Sequence, residues 1–274
     1  MSTESSVFDV TAVEAGIAGT AFAGRVLHFA SVGSTNALAL EAAQSGARVG
    51  VWVADEQTAG RGRGGHGWHS AAGDGLYVSV LIAPSLPMTM ALWLSLATGL
   101  AARSAVVEVT GLAADIRWPN DLLLGGRKCG GILVETAVAA ARDDDRALLR
   151  YGVIGVGINV NHGAFPAELA ALATSLRMES GNEIPREALL AALLRSLDEE
   201  IASLVWEYRG ETAASGLLER FAEASSWVVG KQVRVDEAGG YTGVTAGLDE
   251  RGFLLVNGDD GVTHTVLSGG VRER

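Results

Sequence analysis

The chain has 274 residues, 48% of them apolar and 19% charged, with 36 Gly, five Pro and a single cysteine. This composition supports one large domain, or a large one with a small one, and excludes wholesale disorder, a collagen-like repeat and an intramolecular disulfide framework. A formal net charge of −11 sets the surface as a whole against nucleic acid.

Residues 1–23, rich in Ala, Gly, Thr and Ser, read as a loose lead-in without a basic, apolar leader, so no secretion signal is expected. Residues 25–32 have strand character and run into Gly33-Ser34-Thr35-Asn36, a helix-start signal, with a helix over 37–44 and Gly46 as its stop. Residues 49–56 are apolar enough for a buried strand, and a glycine-rich loop follows over 58–68. A strand at 76–83 and a long apolar helix at 88–107 come next. The uncharged stretch 83–102 carries Pro84, Pro87, Ser85, Thr89, Ser95, Thr98 and Gly99, so it reads as a buried helix rather than a membrane span.

Residues 116–118 form a short strand leading into Pro119-Asn120-Asp121. Residues 122–124 and 131–138 pair as a hairpin across Gly125-Gly126. Residues 150–159 are a buried strand whose glycines admit close approach of a ligand or backbone. Helical spacing covers 184–208 and 211–224. From Trp227 the texture changes to short β-rich runs between glycine turns, which predicts a small β-barrel domain over 227–274 behind a larger domain over 1–226.

Three features carry chemistry. In Gly60-Arg61-Gly62-Arg63-Gly64-Gly65-His66-Gly67-Trp68, five glycines in nine positions let backbone N–H groups approach a ligand, and two arginines offer planar forks to a carboxylate or phosphate. A basic, flexible surface loop is the plainer reading, and neither the Walker nor the dinucleotide spacing is present. The second feature joins Arg117-Trp118-Pro119-Asn120-Asp121 to Arg127-Lys128-Cys129-Gly130-Gly131. Asp121 either steadies Lys128 or holds Mg²⁺ on a triphosphate, and Lys128 faces developing negative charge. Only two of the 21 Lys and Arg are lysine, Lys128 and Lys231, so a lysine here stands against the chain's own preference. Third, Ser34-Thr35-Asn36 is either a helix cap or, with Gln57 and Asn159, a set of uncharged donors and acceptors for an amide-like group. His and Cys are too scattered for a zinc site.

Taken in order, Gly33-Ser34-Thr35-Asn36, Asp55-Glu56-Gln57-Thr58-Ala59-Gly60-Arg61-Gly62-Arg63, Arg117-Trp118-Pro119-Asn120-Asp121, Arg127-Lys128-Cys129-Gly130-Gly131-Ile132-Leu133-Val134-Glu135 and Gly155-Val156-Gly157-Ile158-Asn159 resemble the biotin protein ligases. The resemblance implies an α+β fold: a class II aminoacyl-tRNA synthetase-like catalytic domain, with helices on a mixed sheet, and a small C-terminal SH3-like barrel. It also implies joining of biotin to ATP as biotinyl-5′-AMP, with Mg²⁺, and transfer to a lysine in the carrier domain of acetyl-CoA or acyl-CoA carboxylases. On the residues that match, Ser34, Thr35, Asn36 and Gln57 hold the biotin head group, with Arg61, Gly62, Arg63, Lys128, Gly131 and Gly155 also at biotin. Arg61, Arg63, Trp68, Arg117, Asn120, Lys128 and Asn159 contact ATP or the adenylate, Asn159 at the adenine. Lys128, Arg63 and Asp121 are the catalytic set, with Asp121 as the candidate metal ligand.

Two positions depart from the family pattern: His66 replaces a third loop arginine, and Arg117 replaces a lysine. Some relatives carry an N-terminal winged helix; the short segment before the first strand predicts a ligase that does not bind operator DNA. The expected protein is cytoplasmic, off the membrane, and a monomer or weak dimer. A lipoate–protein ligase, a non-catalytic biotin- or nucleotide-binding regulator and a nucleic-acid module built on the Arg-Gly loop are the competing readings.

Overall fold

Seven strands, β1 (Val26–Val32), β2 (Gly50–Gln57), β3 (Gly75–Ile82), β4 (Asp115–Arg117), β5 (Asp121–Leu124), β6 (Arg127–Val138) and β7 (Leu149–Asn159), form one sheet in the order β1-β2-β3-β7-β6-β5-β4. The computed structural model describes residues 8–139, 147–211, 216–237 and 239–274. Only β1 and β2 pair in parallel; helix α2 (Thr35–Gln44) connects them, and every other neighbour is antiparallel. β3 is buried along its whole length, because both faces of the sheet are covered. This explains why β3 reads as an almost continuous apolar run rather than as an alternation.

The two faces do different work. Val78 and Val80 of β3, Ile154 and Val156 of β7 and Ile132 of β6 point into the main core, which they share with helices α3 (Ala91–Thr110) and α5 (Arg186–Arg209). α3 is long and apolar enough to cross a membrane, but most of it is buried inside the protein, which accounts for an apolar surface on every side. The opposite face carries Ser79, Gly155, Gly157, Gly131, Leu133 and Glu135, set side by side by the strand registers. α2 packs there over a small apolar cluster of Ala39, Ala43, Trp52, Leu81, Tyr151 and Val153.

The tail forms β8 (Val229–Val235), β9 (Tyr241–Leu248), β10 (Leu254–Gly258), β11 (Thr263–Val266) and β12 (Val271–Glu273), an antiparallel sheet ordered β11-β10-β9-β8-β12. Trp118 and Trp93 tie it to the large domain, their indole N–H groups donating to the carbonyls of Gly252 and Arg251, each at 2.9 Å.

Several boundaries move. The expected loose lead-in contains α1 (Val10–Gly16), capped by Asp9 and burying Phe8, Val13, Ile17 and Phe22. Four apolar side chains amid Ala, Gly and Thr are too few to show a period. The long helix starts at Ala91 after one 3₁₀ turn and runs to Thr110, where Gly111 takes the left-handed C-cap at φ 72°. The β5–β6 hairpin turns at Gly125-Gly126, both with positive φ, so Arg127 and Lys128 belong to β6 itself. α4 (Leu176–Ser180) was not anticipated, and the last helix, α6, spans Leu217–Ala224. Part of its expected range, 212–215, lies outside the described residues.

His162, just past β7, is buried against Phe165 at 5.0 Å between ring centroids, and its Nδ1 has no hydrogen-bond partner among the described residues. Burial pushes its pKa below the ordinary value. The unfolded chain therefore takes up the proton first, so stability is complete above about pH 6.5 and declines as pH falls below it. Thermal melts between pH 7 and 5 should show a steeper fall in Tm for the wild type than for His162→Gln. Parallel curves would remove His162 from the acid response.

Candidate active site

α2 begins where β1 ends, and its first turn looks across the bare backbone of β7. Ser34, Thr35 and Asn36 from that turn, Gln57 from the end of β2, Arg61, Gly62, Arg63 and Trp68 from the glycine loop, Asn120, and Lys128, Gly131 and Gly155 from β6 and β7 line one cavity. Twelve of the residues named from sequence therefore converge. Arg117, Asp121 and Asn159 do not line it.

The recognition end is a chain of hydrogen bonds. Ser34 makes no side-chain cap for α2. Instead Gln57 Oε1 accepts from the Thr35 N–H at 2.9 Å, so the cap is supplied by β2 and the Ser34 hydroxyl is spared. Thr35 Oγ1 lies 3.1 Å from the same Gln57 oxygen and 2.7 Å from Ser79 Oγ. Ser79 also donates to Asn36 Oδ1. Asn36 Nδ2 donates to Glu135 Oε2 at 2.8 Å. Gln57 Nε2 donates to Ser70, whose hydroxyl donates to the Trp68 carbonyl. Side chains locked this way hold donors and acceptors in fixed directions, as recognition of a small polar group requires.

Glycine is needed where these groups press on the sheet. A Cβ on Gly155 would stand 2.3 Å from Asn36 Oδ1, and one on Gly157 would stand 2.5 Å from the Trp68 indole. Trp68 packs against that bare backbone, and its buried Nε1–H has no partner among the described residues. Above it the loop folds on itself: Gly62 N–H donates to the His66 carbonyl and Trp68 N–H to the Gly60 carbonyl. Gly64 and Gly65 take positive φ in the 3₁₀ turn between. Arg61 reaches Glu135 at 3.0 Å. Arg63 Nη1 donates to Asn120 Oδ1 at 3.0 Å, and burial lowers its pKa, although a guanidinium stays charged.

The other end is cationic. Lys128 Nζ sits 2.6 Å from Asp121 Oδ1 and 5.4 Å from the Trp68 ring centroid. Arg117 donates to Asp121 Oδ2 through both Nε and Nη2, and its guanidinium stacks over Trp227 at 5.5 Å. Of the two roles open to Asp121, the geometry has it steadying Lys128. Both carboxylate oxygens are engaged, and among the described residues no group of three His, Cys, Asp or Glu side chains stands close enough for a metal. This donor set does not fit a resident Mg²⁺. The Arg117↔Asp121 register in β4 and β5 turns Arg117 toward its neighbour rather than toward the cavity. Asn159 is likewise spent, its Nδ2 donating to the carbonyls of Thr174 at 3.0 Å and Lys128 at 3.4 Å. Neither side chain lines the cavity. Burial pushes the Cys129 thiol up to about 12, so it is no nucleophile at neutral pH.

Sequence reasoning missed Ser79 and Glu135 as site residues. Ser79 is the one small polar side chain in the apolar run of β3, and Glu135 falls at period two from Gly131 on β6. Both signals were present, but neither says which face of the sheet holds the site.

Residues 28–159 match the Biotin/lipoate A/B protein ligase family, and residues 228–271 match the Biotin protein ligase C terminal domain. The chain is 35% identical over 250 residues to a biotin–[acetyl-CoA-carboxylase] ligase of Mycobacterium tuberculosis, covering 88% of this chain and 85% of that one. It is 34% identical over 233 residues to the bifunctional ligase/repressor BirA of Bacillus subtilis, covering 84% and 68%. The biotin protein ligase of Aquifex aeolicus, solved in complex with biotin and ATP, superposes with a TM-score of 0.71 at 27% identity over 92% of this chain and 99% of that one. With family matches over both parts of the chain and relatives this similar over most of its length, this chain belongs to the biotin protein ligase family.

Proposed function

We propose that the protein activates the carboxylate of biotin with ATP as biotinyl-5′-AMP, and then passes the biotinyl group to one lysine of a carboxylase's carrier domain. One observation carries this reading: the cavity has amide and hydroxyl groups at one end and Lys128 at the other. Biotin has the same polarity, with a cyclic urea that offers two N–H donors and one carbonyl acceptor at one end and a carboxylate at the end of an alkyl chain.

In the first step a carboxylate oxygen attacks the α-phosphorus and the bond to the β-phosphate oxygen breaks, releasing pyrophosphate. Both reactants are anionic, so fixed cations between them lower the barrier. Lys128 and Arg63 fill that role, and Asp121, held by Arg117, keeps Lys128 aimed. Thr35, Asn36 and Gln57, with the free Ser34 hydroxyl, hold the urea. The chain lies along the backbone of Gly131 and Gly155, with Trp68 over the activated end. In the second step the neutral amine of the acceptor lysine attacks the acyl carbon, the bond to AMP breaks, and the amine nitrogen loses its proton. Mg²⁺ would arrive as part of the triphosphate substrate, where it would offset some of that charge. The acceptors include acyl-CoA carboxylase carriers, and the protein works in the cytoplasm without binding nucleic acid, a reading supported by its −11 charge.

Lipoate carries a carboxylate too, but its dithiolane has no donors for the Thr35–Asn36–Gln57 end. Biotin-dependent exchange of pyrophosphate into ATP, with lipoate in a parallel arm, tests the assignment. Exchange with biotin alone is expected. Exchange with lipoate alone, or with neither acid, overturns it.

A further inference from the structure

We infer that Glu135 is a latch, a positioning residue that couples occupancy of the recognition end to closure of the glycine loop. The inference rests on the ligase reading above and goes beyond it. One oxygen, Oε2, accepts from two donors that belong to different parts of the site: Asn36 Nδ2 at 2.8 Å on α2, and Arg61 Nη2 at 3.0 Å on the loop. Glu135 itself stands on β6, paired with Val153 of β7, so it is the fixed partner of the three.

The chemistry of each contact gives the latch two functions. An ionised carboxylate only accepts, so Glu135 requires Asn36 to turn its NH₂ toward β6. The Asn36 oxygen is then the atom that takes the Ser79 hydroxyl, above Gly155. Glu135 thereby sets which way the carboxamide faces and what it offers a ligand. The Arg61 contact is of another kind. The Arg61 side chain is 46% exposed and that of Glu135 29%. An ion pair this open is weak, so it holds the loop down yet releases it readily. A rigid hook toward the substrate and a weak hook toward the loop are what a lid needs if it is to stay shut over an adenylate and open for the acceptor.

Two variants separate the hooks. Glu135→Gln still accepts from Asn36 but loses the charge that holds Arg61; Glu135→Ala loses both. The measurement is the partition of biotinyl-5′-AMP between transfer to a carrier domain and release into solution, together with KM for biotin. Glu135→Gln is expected to raise the released fraction by roughly threefold, the scale of one exposed ion pair, with KM changed by less than about twofold. Glu135→Ala is expected to leak as much and to raise KM by roughly tenfold as well. If both variants lower kcat with the partition and KM unchanged, Glu135 is only structural and the latch is wrong. If both match the wild type, it is equally wrong. A wild type without biotin-dependent exchange overturns the ligase reading itself, and the latch with it.

Discussion

Lys128→Ala is expected to lower biotin-dependent pyrophosphate exchange by about 10³-fold, the loss typical of removing one preorganised charge from a site where negative charge meets negative charge. The fold should survive, because Lys128 is about one-third exposed and its structural bonds are made by its backbone: the N–H donates to the Leu172 carbonyl and the carbonyl accepts from the Thr174 N–H. Its ammonium pairs with Asp121 and stands over the Trp68 ring. Unaltered circular dichroism and an unaltered thermal midpoint, with exchange nearly abolished, is the expected pair of results. Lys128→Arg should recover part of the rate, since charge is restored while the forked guanidinium cannot take the place of a compact ammonium between Asp121 and the indole. If Lys128→Ala keeps the wild-type kcat and KM, the cation that offsets the two anions lies elsewhere.

Gly155→Ala should raise KM for biotin by about 100-fold while leaving the sheet intact. The added methyl would lie 2.3 Å from Asn36 Oδ1, a distance no pair of atoms tolerates, and the contact is side chain against strand, so the carboxamide must leave. It takes with it the bonds to Ser79 and Glu135. Two or three hydrogen bonds at about 1 kcal/mol each, together with the loss of shape, account for a change of this order. The strand does not object to alanine, since Gly155 has no positive φ. Gly163→Ala is the matched control: nothing lies within 4 Å of where its methyl would stand and its φ is ordinary, so KM should not move. Binding by isothermal calorimetry, with biotin alone, separates a lost recognition end from a slowed reaction. A Gly155→Ala protein that binds biotin normally would show that Asn36 is not part of recognition.

Much of the site is legible because the family's motifs are local. Ser34-Thr35-Asn36, the Arg-Gly loop and Lys128 in Arg127-Lys128-Cys129-Gly130-Gly131 each announce themselves by residue type within a few positions. What those types do is set by partners far away in the chain. Ser34 looks like a helix cap by every local criterion, yet the cap comes from Gln57, 22 residues beyond Thr35. Arg117 looks like a phosphate ligand, yet a strand register and Trp227, from the other end of the chain, turn it onto Asp121. Asp121 looks like a metal ligand until both its oxygens are counted.

Composition and periodicity alone determined most of the strands and helices, though not α1 or α4, together with the β-rich tail and the stretches of bare backbone along β6 and β7, because these depend on side-chain size, polarity and spacing within one element. Only the tertiary structure decided which face of the sheet is core and which is cavity, and that Glu135 and Ser79 belong to the latter. The physical reason is that a strand shows a face to whatever packs on it. Alternation reveals that two faces exist, but burial by α3 and α5 on one side, and by α2 and the loop on the other, is settled by contacts between residues as far apart as Asn36 and Glu135.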